Sequence, residues 1–288
     1  MNQSLFIRDG VGSNLSLLLH RATGNVAGAP VATAAECAAP LAWSLAALAL
    51  APGVEPVELA AFLDADAGPE APPLEAALAG RYSTRSYTDT PLTPAELARF
   101  WRWAYPAAVR AEGYEPVAHA QRSLQPWNGH ATLVRPVLLA LRVDGMARGA
   151  YVVDETTLTA RRLAADAQQL ESLLETACFQ AEFRSAAALL LMVGSPSDAI
   201  ARYADRGYRY MLLENGVQLQ RNGIACGALG LAGCITGSFS QDTWDRWLGL
   251  DGFHASVLNG FALGHNERPR ALAAAVNQAN QGAANARA

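Results

Sequence analysis

Residues 202–231 read RYADRGYRYMLLENGVQLQRNGIACGALGL and carry more architectural information than any other part of the sequence. From Gly207 to Leu231 the segment is apolar on most of its surface, which predicts one long helix. At a rise of 1.5 Å per residue this helix would span about 37 Å. Because a helix that is apolar all round must be covered on every side, we expect it to lie at the centre of a subunit interface.

Apolar runs elsewhere in the chain predict the strands of a sheet. Two continuous runs are suited to central strands covered on both faces, and two further segments predict additional strands. In that order the four segments are Arg135–Val143, Ala186–Gly194, Ala150–Asp154 and Ala255–Gly264. An amphipathic pattern predicts a helix over Leu163–Gln180, and the sequence Thr93-Pro94-Ala95-Glu96 has the form of a capping box that starts another helix. The alternation of strands and helices indicates an α/β or α+β fold with helices on both faces of the sheet.

The first 73 residues predict a separate helical or winged-helix-like unit. Helices are expected over Ala39–Ala51 and Pro56–Asp64, and the stretch Ala65–Pro73 has the alanine-, proline- and glycine-rich composition of a linker. A main domain would then span residues 74–270. The tail over residues 271–288 either frays or embraces a partner subunit.

Composition and charge narrow the class of protein. Hydrophobic residues make up 51% of the 288 residues and charged residues 17%, so the chain can bury a sizeable core. All 22 basic residues are arginine, and they are scattered rather than grouped into the basic stripe of a nucleic-acid-binding protein. The longest apolar stretch falls short of the ~20 residues that span a bilayer, and the first ten residues lack the apolar core of a signal peptide. The four cysteines have no CxxC spacing, which is typical of buried thiols, so we expect a cytoplasmic protein with no metal site.

Two arginines four positions apart form a candidate anion site in the sequence GRYSTRS at residues 80–86. The guanidinium groups of Arg81 and Arg85 can each bind phosphate through paired hydrogen bonds, and the Ser83 hydroxyl between them adds a neutral donor. A solvated polar loop is the alternative.

These segments resemble those of the nitroreductase superfamily, and in particular its SagB-type dehydrogenase branch. In the superfamily an Arg-x-Ser-x-Arg/Lys motif holds the phosphate of FMN, and residues 81–85 match it. The run Arg202–Gly216 resembles a characteristic segment of the branch, and the following segments match at the expected spacing. They are Ala228–Leu231, Gly237–Phe239, Leu248–Asp251 and Ala262–Gly264. The resemblance covers residues 74–270 and implies an α+β nitroreductase-like FMN-binding fold, with an antiparallel or mixed central sheet flanked by helices.

The resemblance also implies a function. Members of this branch bind FMN and act mostly on ribosomally made peptides, in which they oxidise thiazoline and oxazoline rings to thiazoles and oxazoles. A hydride passes from the β carbon of the ring to flavin N5 and O2 reoxidises the cofactor, while the protein supplies orientation and a base. The implied assembly is a homodimer or a complex with a YcaO-type cyclase, in which the N-terminal unit would help to dock the peptide.

The expected base departs from the pattern of the branch. Where the branch often carries a Lys-Tyr pair, this sequence has Arg202-Tyr203, and an arginine side chain does not lose its proton in proteins. Tyr203 is therefore the candidate base, with its pKa lowered by positive charge from Arg202 and Arg206. A packing role for Tyr203 is the alternative.

The resemblance suggests further cofactor contacts. The segment Gln125–Thr132 stands where the branch has a small-residue segment beneath the flavin ring, which makes Asn128 and Gly129 candidate ring contacts and His130 a candidate acid or base. Glu214 would contact either a ribityl hydroxyl or Arg209. The remaining candidates are Tyr82 beside the phosphate motif, Ile235, Thr236, Gly237 and Ser238 near the ring, and Arg268 and Arg270 at the phosphate.

Two other functions fit the same residues. One is an FMN-dependent oxidoreductase that acts on a carrier-bound or free small molecule with NAD(P)H, because nitroreductases need no glycine-rich nucleotide fingerprint. The other is a flavin-binding scaffold subunit of a synthetase complex without turnover of its own, which the missing lysine and the altered ring segment keep open.

Overall fold

The structure is a computed structural model that describes residue 19 and residues 48–63, 72–105 and 133–267. Some of the predicted features lie outside these residues. They are the helix over Ala39–Ala51 up to residue 47, the linker up to residue 71, the segment Gln125–Thr132 with Asn128, Gly129 and His130, the arginines Arg268 and Arg270, and the tail over residues 271–288.

The described strands form one seven-stranded antiparallel sheet. The strands are β1 (Val57–Glu58), β2 (Val134–Ala140), β3 (Gly149–Val153), β4 (Thr159–Arg162), β5 (Ala188–Gly194), β6 (Ala232–Thr236) and β7 (Ser256–Gly264). Their order across the sheet is β1-β4-β3-β2-β5-β7-β6. At the centre, β2 and β5 pair over their whole length, from Val134 opposite Gly194 to Ala140 opposite Ala188. The four strands predicted from apolar runs are confirmed to within three residues at each end.

Helices cover both faces of this sheet. The described helices are α1 (Leu74–Gly80), α2 (Pro94–Ala104), α3 (Leu170–Ala177), α4 (Pro196–Tyr203), α5 (Arg206–Leu229) and α6 (Gln241–Leu248). Side chains alternate along the central strands, so that Leu138 lies in the core under α2 and α5 and Leu139 in the core under α3 and α6. The predicted α+β fold with helices on both faces is therefore confirmed. None of the described helices combines the length and the apolar content needed to cross a bilayer.

The capping box predicted at Thr93 is present. The Thr93 hydroxyl accepts a hydrogen bond from the Glu96 N–H at 3.2 Å, and the Glu96 carboxylate accepts one from the Thr93 N–H at 3.0 Å. Pro94 occupies the first helical position, where its missing N–H would have had no partner within the helix. The helix α2 therefore begins at the predicted residue.

The helix α5 confirms the long helix predicted over Gly207–Leu231, but several of its polar residues face the interior. Leu212 and Leu213 are 42% and 50% exposed. Four polar side chains lie instead on the buried side, and they are Glu214, Asn215, Gln218 and Asn222. The exposed leucines leave an apolar strip on the surface of the described chain, and the subunit interface predicted at this helix stays a prediction.

The helix predicted over Pro56–Asp64 is wrong. Residues 57–58 form the edge strand β1, opposite Ala160 and Thr159 of β4, and Leu59–Phe62 form a 3-10 helix. The Glu58 carboxylate also accepts a hydrogen bond from the Thr159 hydroxyl at 2.8 Å. The local sequence pattern does not determine the conformation of this short segment, because pairing with β4 satisfies its backbone hydrogen bonds.

Two other helix predictions are only partly correct. The described end of Ala39–Ala51 is not helical, because Leu50 forms an isolated bridge with Leu163 of the sheet region. Within Leu163–Gln180 only α3 is α-helical, since the Asp166 carboxylate accepts a hydrogen bond from the Gln168 N–H at 2.9 Å and starts a 3-10 turn there. Residues 48–63 are thus bonded to the edge of the sheet, and the domain boundary at residue 73 stays a prediction.

A buried carboxylate joins α5 to the centre of the sheet. Glu214 is 0% exposed, and its carboxylate accepts hydrogen bonds from the Leu133 N–H at 3.0 Å and the Val134 N–H at 3.3 Å. The Gln218 side chain, one turn further along α5, donates to the same carboxylate at 3.3 Å and to the Val134 carbonyl at 2.9 Å. These bonds satisfy the backbone where β2 begins and offset the cost of burying a charge.

Replacing Glu214 with alanine is expected to lower the free energy of unfolding by about 3 kcal/mol or more, because two buried N–H groups lose their acceptor. Urea unfolding followed by circular dichroism measures the loss. The matched control is Glu171→Ala, which removes an exposed carboxylate that lies 2.6 Å from Arg148 and should cost less than about 1 kcal/mol. Equal losses in the two variants would contradict the role assigned to Glu214.

Replacing Gly207 with alanine is expected to destabilise the fold by at least about 2 kcal/mol, because the added carbon has no room. A Cβ at Gly207 would lie 1.8 Å from the Ala199 carbonyl oxygen, where α4 and α5 meet. Gly216→Ala on the same helix would meet no atom of the described residues of its own chain within 4 Å and should leave the packing of α4 on α5 intact, since alanine is the better helix former. Thermal denaturation compares the two variants, and equal melting temperatures would show that the helices do not meet this closely.

Candidate functional site

The predicted anion-binding segment lies along the outer edge of the sheet. The Thr84 N–H donates a hydrogen bond to the Gly233 carbonyl of β6 at 3.1 Å. Thr84 is buried, and its hydroxyl has no hydrogen-bond partner among the described residues. The segment is therefore held against β6 and is not a freely solvated loop, which was the alternative interpretation of its sequence.

Arg81 lies across the second half of α5. A Cβ at Gly223 would be 3.2 Å from the Cγ of Arg81, and a Cβ at Gly227 would be 3.4 Å from the Arg81 backbone nitrogen. The first distance is shorter than ordinary van der Waals contact and the second is at its lower limit, so a side chain at Gly223 in particular would crowd Arg81. The sequence analysis did not identify this pair, although glycines four residues apart on a helix are a recognisable sign of close packing.

Ser83 and the two arginines gather around the thiol of Cys234. Burial raises the pKa of the Cys234 thiol, while the Arg85 guanidinium, a hydrogen bond with Ser83 and the Arg81 guanidinium act in the opposite direction. All three side chains of the predicted phosphate motif thus influence the same thiol on β6. Their combined charge and donors make this end of β6 suited to an anionic group.

The loop after β7 approaches the same segment. The Thr88 N–H donates to the His265 carbonyl at 2.9 Å. The Asn266 side chain lies 3.5 Å from both the Tyr82 hydroxyl and the Ser86 hydroxyl. Arg268 and Arg270 follow this loop outside the described residues, so their predicted role at the phosphate stays a prediction. Asn266 and Thr84 are site residues that the sequence analysis missed, because neither belongs to the charged motif.

The residues predicted near the flavin ring directly follow Cys234. Ile235 is 45% exposed, and a Cβ at Gly237 would meet no atom of the described residues within 4 Å, so these residues leave open space beside the stretch. Thr236 is buried and holds the stretch in place, because its hydroxyl donates to the Gln180 side chain and accepts from the Ser238 N–H, both at 3.0 Å. The result is an accessible backbone surface on a fixed support, next to the arginines.

Tyr203 and Arg202 lie at the other end of the molecule. Arg206, which begins α5 just after them, is 17 residues before Gly223, and this places the two positions about 25 Å apart along the helix. The strand register agrees, because α4 follows Gly194 at the Val134 end of the sheet, whereas Gly233 pairs with Leu263 near the opposite end. Within one chain the structure does not bring Tyr203 to the predicted phosphate motif.

The surroundings of Tyr203 are those of a packed side chain. Tyr203 is 6% exposed and packs edge-to-face against Tyr210, with the ring centroids 5.2 Å apart. Glu214 lies towards the same end of α5, where its described partners include the N–H groups of Leu133 and Val134. Contacts of Glu214 with a ribityl hydroxyl or with Arg209 stay predictions.

Comparison with protein families gives a match over two-thirds of the chain. The model of the nitroreductase family matches residues 78–265. A search among curated protein sequences found no match.

Solved structures share the fold at low sequence identity. A protein of Anabaena variabilis assigned as a nitroreductase has a TM-score of 0.62 at 21% identity, covering 88% of this chain and 47% of that one. A second such protein, from Ralstonia eutropha, has a TM-score of 0.55 at 16% identity, covering 79% and 97%. A chain of the E. coli microcin synthetase McbBCD complex with truncated pro-MccB17 bound has a TM-score of 0.53 at 16% identity, covering 92% and 96%. This chain therefore spans about half the length of the Anabaena protein.

The family match and the shared fold agree with the antiparallel sheet and its flanking helices, so the predicted nitroreductase-like fold is confirmed. The chain belongs to the nitroreductase family, whose members are in general flavin-dependent oxidoreductases.

Proposed function

We propose that the chain is an FMN-dependent azoline dehydrogenase, which oxidises thiazoline or oxazoline rings of a ribosomally made peptide to thiazoles or oxazoles. The observation that carries the proposal is the attachment of the segment Arg81–Arg85 to β6, through the hydrogen bond from the Thr84 N–H to the Gly233 carbonyl, close in sequence to the accessible stretch at residues 235–238. The resemblance of residues 202–216 to the SagB-type branch supports the substrate class. The likeness to a chain of a microcin synthetase complex supports a peptide substrate and a YcaO-type cyclase as partner.

The residues present fit FMN. The guanidinium groups of Arg81 and Arg85 would hold the phosphate, and the exposed Ser83 hydroxyl between them would add a neutral donor. The open space beside Gly237 leaves room for the flat ring. When bound, FMN supplies a hydride acceptor for the oxidation of the substrate.

The chain itself must supply a base for the acidic proton of the azoline ring. Arginine cannot act as a base, and the sequence contains no lysine. Tyr203 remains the proposed base, with Arg202 and Arg206 as neighbouring positive charges. The separation of Tyr203 from Arg81 then requires that the two residues of one site come from different copies of the chain.

A homodimer through α5 meets this requirement. Leu212, Gly216, Gly223 and Gly227 share one face of α5, because they are spaced at helical intervals, and Arg81 lies over the last two. A two-fold axis through the middle of this face would run the helix antiparallel to its copy. The start of one α5, with Tyr203 beside it, would then lie near the end of the other, where Arg81 binds.

A second candidate function is an FMN-dependent oxidoreductase that acts on a carrier-bound or free small molecule with NAD(P)H. The burial of Tyr203 in a packed aromatic pair favours it, because a side chain in that position is poorly placed to take a proton from a bulky peptide. This candidate needs the same FMN site and no base at position 203.

The FMN site predicts that Arg85→Ala weakens FMN binding by about tenfold to a hundredfold, the usual loss for a charge-assisted hydrogen bond. Quenching of flavin fluorescence on titration of FMN with the purified protein measures the dissociation constant. The matched control is Arg246→Ala, which removes an exposed arginine whose Nε donates to the Asp242 carbonyl at 3.0 Å. FMN binding that is equally strong in Arg85→Ala and Arg246→Ala would exclude the arginine site.

The proposed activity predicts that the FMN-loaded protein removes two hydrogen atoms per ring from a thiazoline-containing peptide and consumes O2. Mass spectrometry and an oxygen electrode measure the two events. Tyr203→Phe is expected to lose turnover while FMN stays bound. Oxidation of NAD(P)H with a quinone or a nitroaromatic, in a protein that leaves azolines unchanged, would instead select the second candidate.

If each active site is shared between two subunits, co-expression of two inactive variants should restore part of the turnover in the same assay. The double variant Arg81→Ala, Arg85→Ala and the variant Tyr203→Phe should each be inactive alone. When the two are co-expressed, half of the dimers are mixed and each mixed dimer holds one intact site, so about a quarter of the wild-type turnover should return. Mixed dimers without any activity would show that Tyr203 does not act across the interface.

A further inference from the structure

We propose that Phe179 is a substrate-contacting residue, whose ring lies beside the stretch at residues 235–238 and packs against the five-membered ring of the peptide. The inference rests on the proposed function and names the part of the substrate that this chain recognises. Phe179 is 62% exposed. Exposure of a single apolar residue is common on protein surfaces, but the position and the direction of this one are set by the backbone.

The backbone of Phe179 is fixed against the stretch at residues 235–238. The Phe179 N–H donates a hydrogen bond to the Ser238 carbonyl at 3.0 Å. One residue earlier, Cys178 forms an antiparallel bridge with Phe239. The two segments therefore run side by side as a short ladder, and Phe179 stands next to the stretch proposed to lie near the flavin ring.

The same ladder sets the direction of the Phe179 ring. Opposite residues of an antiparallel pair project to the same side, and neighbours along one segment project to opposite sides. Cys178 and Phe239 both pack in the core under α3 and α6. Phe179 therefore projects away from that core, which agrees with its exposure.

Ile235 projects away from the same core. Its partner on β7 is Phe261, which lies in the core on the other face of the sheet, under α2 and α5. Arg81 lies across α5 on this face. The two exposed apolar side chains, Ile235 and Phe179, are thus on the side of the sheet where the predicted phosphate motif meets α5.

The chemistry of Phe179 suits a flat, unsaturated ring. A phenyl ring packs against such a ring in stacked or edge-to-face contact, and this contact adds to the gain from burying apolar surface. A thiazole is an aromatic ring, and the thiazoline from which it forms is a five-membered ring with a C=N bond. An uncyclised cysteine has no ring to pack. Phe179 therefore favours peptides whose residue beside the flavin has already been cyclised.

The test measures binding rather than turnover. Isothermal titration calorimetry compares FMN-loaded variants, with a short peptide that contains one thiazole as the probe. Phe179→Ala is expected to raise the dissociation constant about tenfold, whereas Phe179→Tyr, which keeps an aromatic ring, should stay within about twofold of the wild type. A peptide of the same sequence with an uncyclised cysteine should bind the wild type and Phe179→Ala alike.

The matched control is Phe253→Ala, which should bind the thiazole peptide as the wild type does. Phe253 is another exposed phenylalanine, at 57%, and its carbonyl accepts a hydrogen bond from the Ser197 N–H at 3.1 Å at the other end of the sheet. Because both side chains are more than half exposed, neither substitution removes a core residue.

Three results would overturn the role of Phe179. The first is equal affinity of the wild type and Phe179→Ala for the thiazole peptide. The second is a tenfold loss of FMN affinity in Phe179→Ala, measured by flavin fluorescence quenching, which would place the ring on the cofactor. The third is a change of oligomeric state in this variant, measured by light scattering, which would show that a second copy of the chain covers the ring.

Failure of the proposed function gives a different result. A wild-type protein that binds FMN but neither the thiazole peptide nor the uncyclised one would refute the proposed peptide substrate, and the role of Phe179 with it. Binding of the thiazole peptide by the wild type that Phe179→Ala leaves unchanged would refute the role of Phe179 alone.

Discussion

The carboxylate of Glu214 is the interaction on which the arrangement of the molecule depends. It takes the first N–H groups of the central strand β2 as donors and so fixes the rotation of α5 about its own axis. With that rotation set, Leu212 and Leu213 face outward and Gly223 and Gly227 face Arg81. A neutral apolar residue at position 214 could fill the space but could not accept these bonds, and the two N–H groups would be left buried without this acceptor.

The core of the fold could be predicted because its strands and helices are marked by local patterns in the sequence. Continuous apolar runs mark β2 and β5, whose residues are buried on both faces, and the capping box at Thr93 starts α2 at the expected residue. The edge strand β1 could not be predicted in this way. Two residues carry no periodicity, and their strand conformation exists only because Ala160 and Thr159 lie opposite.

The candidate site was predictable in part for a similar reason. The motif at residues 81–85 is contiguous, so its chemistry is visible in the sequence, and in the structure the segment is hydrogen-bonded to β6 at Gly233. The distance between that motif and Tyr203 is a property of the folded chain, and sequence spacing does not contain it. The orientation of α5 was also hidden, because counting apolar residues around a helix does not reveal that four polar ones face inward. Buried polar groups of this kind are usually tied to partners that only the fold supplies.

The two borders of the sheet affect how readily the protein associates with other molecules in solution. Unpaired main-chain groups along a sheet border are templates for pairing with other molecules. In the described part of the chain one border consists of the short strand Val57–Glu58 and the bridge at Leu50, and the other is overlaid by the stretch around Thr84. The stretch around Thr84, which we propose binds the cofactor, therefore also shields this border from pairing with other molecules. Mutations that detach the stretch from β6 should lower the solubility of the protein as well as its affinity for the cofactor.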